Sequence, residues 1–286
     1  MNQFSSHPLY RKHDLDSAMS SLWKFYRKKF FVLVFTSFVI SIGIHFLTQM
    51  FDFYDILKIT DPEEMMGKLR EMIWPMVAIS LVSLLCTTIL YYYVIFNPVD
   101  SNVTIIVSLY KSLRYYILLL IIMVLFSVFA SVAMIFGLML LVIGVVFSMI
   151  YIMTLFLFFT PVLMVEGPDI ANAISRTFRL AHRRFWANIG WVAVLLVIML
   201  ITSFILNAII TIPFTGGIMK NLTNPEELMS TMDYMRNPVY ITLSALASAL
   251  FYPLIPILGT ILYFNGRARE EVISSSDQDL TTLPEN

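Results

Sequence analysis

The chain runs to 286 residues, of which 58% are hydrophobic and 13% charged, and its formal net charge is zero. Soluble domains are usually about 45–50% apolar and about 25% charged, so this composition excludes an ordinary soluble domain. The charge balance points to no nucleic-acid partner, and a single cysteine, Cys86, excludes a disulfide within the chain.

A polar segment, 1–29, comes first and is far longer than a signal-peptide n-region, so it is expected to be cytoplasmic and uncleaved. Over 14–29 it mixes aromatic and aliphatic residues with Lys24, Arg27, Lys28 and Lys29 at helical spacing, the pattern of an interfacial helix. Asp14 stands where such a helix prefers an N-terminal acceptor. A spanning helix needs about 20 apolar residues. The first such run is 30–50, with His45 towards its outer end. Next comes Asp61-Pro62-Glu63-Glu64: a cap, a proline for the first helical position and two first-turn glutamates. These predict a short amphipathic helix on the outer side, before a second span at 73–96.

A weaker elbow at 102–112 then leads into 113–165, which is apolar almost throughout. As one helix this run would be about 80 Å long against a hydrocarbon core of about 30 Å. It is therefore expected to form two spans, 113–136 and 138–163, turning between Met134 and Gly144. A further elbow, 169–184, begins at Asp169 and carries Arg176, Arg179, Arg183 and Arg184. Spans 191–211 and 239–264 follow, and Pro253 and Pro256 should kink or unwind the last. The remainder, 266–286, is expected to be a disordered cytoplasmic tail.

Two echoes organise these elements. Residues 18–31 resemble 173–186 without a gap in their small, aromatic and basic positions, and Asp61-Pro62-Glu63-Glu64 returns as Asn224-Pro225-Glu226-Glu227. Thr88-Ile89-Leu90-Tyr91 likewise matches Thr260-Ile261-Leu262-Tyr263. The fold expected is an all-α polytopic membrane protein, with six transmembrane helices in three elbow-plus-hairpin units. These form a parallel repeat in which the first and third units are most alike.

Of the 19 Lys and Arg residues, only Lys58, Lys68, Arg70, Lys220 and Arg236 fall on the side opposite the elbows. This asymmetry places both termini in the cytoplasm and the protein in the plasma (inner) membrane. The spans hold no Asp or Glu, which disfavours ion coupling through a buried carboxylate. His7, His13, His45 and His182 have no metal-ligand spacing, and no phosphate-cradling glycine motif or nucleophile elbow is present. Neither cofactor, metal nor catalysis is expected.

Pro161-Val162-Leu163-Met164-Val165-Glu166-Gly167-Pro168, the run from Ala171 to Leu180, and Arg184-Phe185-Trp186 carry a resemblance. This stretch resembles the membrane domain associated with bacterial glycerophosphoryl diester phosphodiesterases and its stand-alone relatives. The resemblance implies a fold more than an activity. A catalytic barrel takes about 250 residues, which the soluble segments cannot supply, so no catalytic residue is carried over. Glu166 matches the pattern and is expected in a rim salt bridge with Arg183 or Arg184.

The expected function is an accessory or envelope-maintenance component that contacts lipid. Lys24, Arg27, Lys28, Lys29, Arg176, Arg179, Arg183 and Arg184 would meet head groups, and a membrane or cytoplasmic protein partner stays open. The same elbows can serve simply to set the angle of the next span. The alternative function is a transporter or lipid-moving protein, with a groove near the kinked sixth span formed by Thr87, Thr88, Asn207, Thr211, Tyr252, Pro253 and Pro256.

Overall fold

A computed structural model describes residues 3–49, 59, 61–215 and 232–281, and these contain helix and no strand. In chain order the helices are α1 (Leu15–Lys28), α2 (Phe30–Gln49), α3 (Pro62–Phe96), α4 (Ile105–Met139) and α5 (Leu141–Glu166). Then come α6 (Ile170–Arg183), α7 (Phe185–Thr215), a 3-10 turn (Met232–Arg236), α8 (Pro238–Phe251) and α9 (Leu254–Thr281). Among the described residues, six stretches are long and apolar enough to cross a membrane: α2, α3, α4, α5, Phe185–Phe214 and Pro238–Glu271. The chain is a polytopic helical integral membrane protein.

Two compact units share these helices. The first comprises Met1–Phe30, Thr88–Leu195 and Leu254–Asn286, and the second Phe31–Thr87 and Leu196–Pro253. In the first unit α5 is flanked by α4, α6 and α9, while α1 lies on α9. Tyr91, Phe158, Phe159, Leu119, Ile122 and Tyr263 are fully buried there. Gly259 lets α9 approach closely: a Cβ would meet the Tyr91 hydroxyl and stand 2.7 Å from the Leu157 carbonyl. In the second unit Gln49 donates to the Met235 carbonyl at 2.9 Å, and Phe214, Tyr234 and Tyr240 form an aromatic cluster. His45 spends a ring nitrogen on the Ser41 carbonyl one turn back, at 2.9 Å.

The hairpin between α4 and α5 turns at Leu140 and Leu141, within the expected window, with Leu141 at φ 58°. A Cβ on Gly137 would stand 2.8 Å from the Gly144 carbonyl oxygen, so glycine is what lets the two helices close there.

Several boundaries differ from expectation. The elbow at 102–112 is no separate element: α4 runs unbroken from Ile105 to Met139, capped by Thr104, whose hydroxyl accepts from Val107 N–H at 3.3 Å. The amphipathic helix foreseen after Asp61 is continuous with the second span, because Pro75 is accommodated inside α3. Nor is 266–281 a disordered tail, for α9 continues to Thr281. The second Pro-Glu-Glu copy, at 224–230, lies outside the described residues. The expected disruption near Pro253 is a break, with α8 ending at Phe251 and α9 starting at Leu254.

One correspondence is closer than the sequence showed. Helices α1 and α6 have the same length, are capped by Asp14 and Asp169, and lead into α2 and α7 at Phe30 and Phe185. Every buried position matches: Ala18, Ser21, Leu22, Phe25 and Tyr26 in α1 against Ala173, Arg176, Thr177, Leu180 and Ala181 in α6.

Candidate functional site

The site grows from the turn between α5 and α6. Gly167, at φ 117°, takes a conformation that an L side chain rarely adopts, and so ends α5. Asp169 then caps α6, its side chain accepting from Asn172 N–H at 3.1 Å. This geometry sets Arg176, only 9% exposed, between two carboxylates. Its Nε donates to both oxygens of Glu166 at 3.0 Å, and its Nη1 donates to Glu270 Oε1 at 2.9 Å. Arg176 Nη2 pairs with the other Glu270 oxygen. Burial opposes the Arg176 charge, but Glu270 and Glu166 outweigh it and push the pKa above its ordinary value.

Tyr263 donates to Glu166 Oε1 at 3.0 Å, and Arg183 Nη1 lies 3.0 Å from Glu270 Oε1. The expected pairing of Glu166 with Arg183 or Arg184 is thus replaced. Arg176 lies on the α6 face buried against Glu166, whereas Arg183 and Arg184 are exposed at the end of the helix. The missed partner, Glu270, sits in a stretch read as tail. Its signal was helical spacing: Arg267 and Glu270 share a face with Tyr263.

Beside this network lies a cavity of about 280 Å³. Lys12, Arg183, Arg184 and Arg269 supply its charge, Asn188 and Asn265 its amides, and Phe158, Leu180 and Leu262 its apolar wall. Asn265 Oδ1 accepts from His13 N–H at 2.9 Å and from Arg269 Nε at 3.0 Å, which fixes the amide orientation. Arg269 Nη2 also donates to the His13 carbonyl at 2.7 Å, clasping the N-terminal segment to α9. Asn188 uses its Nδ2 on the Ala181 carbonyl at 2.9 Å, closing the end of α6. The side chains of Lys12 and Arg184 form no hydrogen bond or ion pair with any described residue. The cavity therefore carries surplus positive charge. At about 280 Å³ it is close to the small end of ligand pockets, which start near about 300 Å³.

The remaining candidates are scattered. Lys24, Arg27 and Lys28 are exposed on α1, Lys29 stands over the Tyr93 ring at 6.0 Å, and Arg179 is exposed on α6. His182 points elsewhere, its Nε2 3.1 Å from the Tyr151 hydroxyl. In the second unit Thr87 and Asn207 bond their own helix carbonyls, at Ser83 and Ser203, and Tyr252 lies near Ser83 and Cys86. Thr88 is buried, and Thr260 Oγ1 donates to the Pro256 carbonyl at 2.7 Å.

Comparison with family models, characterised proteins and solved structures returned no match.

Proposed function

We propose that this integral membrane protein is a lipid-contacting accessory component without catalysis of its own, held in an inner membrane with both termini cytoplasmic. One observation carries the reading: the α6 elbow ends in two arginines on a cationic cavity, and Trp186, 75% exposed, follows at once. Basic groups beside an exposed indole suit the head-group layer, where each Lys or Arg contributes about 1 kcal/mol. The carboxylates Glu166 and Glu270 are both engaged by Arg176. The resemblance of 161–186 to a phosphodiesterase-associated membrane domain agrees with a non-catalytic role.

The rival reading, movement of lipid, draws its support from the helix break at Tyr252 and Pro253. Mass spectrometry of the protein in native lipid discs separates the two from a third outcome. Enrichment of an anionic lipid class over bulk membrane, lost in Arg183→Gln/Arg184→Gln, is the expected result. Bulk-like lipid with a stoichiometric protein partner overturns it. Lipid transfer between vesicles, abolished by Pro253→Ala, establishes the rival.

A further inference from the structure

We infer that the chain carries two equivalent binding sites for a phosphate-bearing anion, one in the cavity beside α6 and one in a groove beside α1. The inference rests on the lipid-contact reading and adds the number, location and ligand chemistry of the sites. The groove, of about 810 Å³, is lined by Arg11, Lys24, Lys28 and Lys29, with Ser21, Phe25 and Asn97 among its other walls. Among the described residues, no Asp or Glu lines either space.

Their equivalence is positional. Carrying the register of α1 onto α6 puts Phe25, Lys28 and Lys29 on Leu180, Arg183 and Arg184. Carrying Thr88–Tyr91 onto Thr260–Tyr263 and onward without a gap puts Asn97 on Arg269. All eight residues line one space or the other, each with its counterpart. Both four-residue runs, Thr88 to Tyr91 and Thr260 to Tyr263, are buried throughout.

A side-chain contact also repeats. Arg11 and Ser21 correspond to Glu166 and Arg176, and both pairs touch: Arg11 Nη2 donates to Ser21 Oγ at 2.6 Å, as Arg176 Nε donates to Glu166. An apolar wall, two consecutive basic residues and a polar side chain, Asn97 or Arg269, recur in both places. Surplus Lys and Arg without lining carboxylates select an anion, and guanidinium forks select one with several oxygens, which a phosphate ester offers. That phosphate can belong to a lipid head group or to a soluble ester.

The test is native mass spectrometry of the full chain, released from phosphatidylcholine discs with and without phosphatidylglycerol. A parallel arm adds free inorganic phosphate. Lys12→Gln/Arg184→Gln alters the cavity and Lys24→Gln/Lys28→Gln the groove; none of these four side chains makes a hydrogen bond or ion pair with a described residue, so folding should be kept. Two retained phosphatidylglycerol molecules are expected, falling to one in each double variant and to none in the quadruple. Affinity at the altered site should drop on the order of tenfold or more. Retention of phosphatidylglycerol that no variant changes overturns the two sites while leaving lipid contact standing. Binding of inorganic phosphate with the same variant pattern, without lipid enrichment, keeps the sites and removes the lipid reading. Loss of both molecules in either double variant overturns their independence.

Discussion

At the first elbow Arg11 meets Ser21 through a neutral hydroxyl, whereas at the second the same two positions hold Glu166 and Arg176, joined to Glu270 and Tyr263. The backbone register, the caps and the buried positions agree between α1 and α6. What differs is how each elbow is fastened. The second is held by charge around a small cavity, while the first is held by the aromatic N-terminal segment beside a groove nearly three times larger. Shared geometry with separate fastening predicts that the two elbows should fail under different perturbations.

Among substitutions at neutral pH, the largest effect should come from Arg176→Ala. It leaves Glu166 with Tyr263 and Glu270 with Arg183 as their remaining partners, and the two carboxylates are 17% and 24% exposed. Removing one partner of a fully buried pair costs about 3–5 kcal/mol, and the partial exposure here reduces that to about 2–3 kcal/mol. Thermal unfolding in detergent measures it. Ser21→Ala, at the matching position, should cost only about 1 kcal/mol. Equal losses would end the distinction drawn between the elbows.

Acid should act on the first elbow. His7 is 3% exposed; its Nε2–H donates to the Val94 carbonyl and its Nδ1 accepts from Leu9 N–H, both at 3.1 Å. Only the neutral ring can do both. Burial holds its pKa well below the usual 6.5, at about 4. The unfolded chain therefore takes up a proton between pH 6.5 and about 4 that the folded chain refuses. Stability from this group is complete above pH 6.5, falls across that window and levels off below it, by about 3 kcal/mol in all. In His7→Gln, which keeps a donor towards Val94, stability measured from pH 7 to 4 should lose that slope. The corresponding position at the second elbow is Val162, which cannot titrate.

Much of this was legible because apolar runs and ungapped echoes are local properties. Six spans, the Leu140 turn and the matching elbows follow from residues close in sequence. The partners were not legible, because they depend on which helices meet. Glu270 reaches Arg176 across 94 positions. His7 reaches Val94 across 87. Continuity was misjudged at Pro75 and Ser112 for another reason: a proline or a polar turn weakens a helix locally, and the length of apolar helix on either side outweighs it.

A smaller effect is expected at Gly259, whose counterpart in α3 is Thr87. Thr87 is half-buried and bonds its own helix, but a Cβ at Gly259 runs into the Tyr91 hydroxyl. Gly259→Ala should cost about 1–3 kcal/mol by overpacking, and Gly259→Ala/Tyr91→Phe should recover part of it. Failure of the double variant to recover anything would place the clash at the Leu157 carbonyl instead.

The finest test exchanges the fastenings. If the two elbows share a geometry, Arg11→Glu with Ser21→Arg should rebuild at the first elbow the pair found between Glu166 and Arg176. Glu270 has no acidic counterpart there, since the corresponding position is Pro98, so the new pair would lack its second carboxylate. Arg11 is exposed, which screens the pair further. A coupling of about 1 kcal/mol in the double-mutant cycle is therefore the expected size, and its sign carries the argument. Arg11→Glu alone sets a carboxylate beside a neutral hydroxyl, while Ser21→Arg alone sets two arginines together, and the two changes help each other only if the side chains at these positions meet. A coupling of zero would mean that α1 and α6 agree in register but orient these two side chains differently, and the likeness of the elbows would then stop at the backbone.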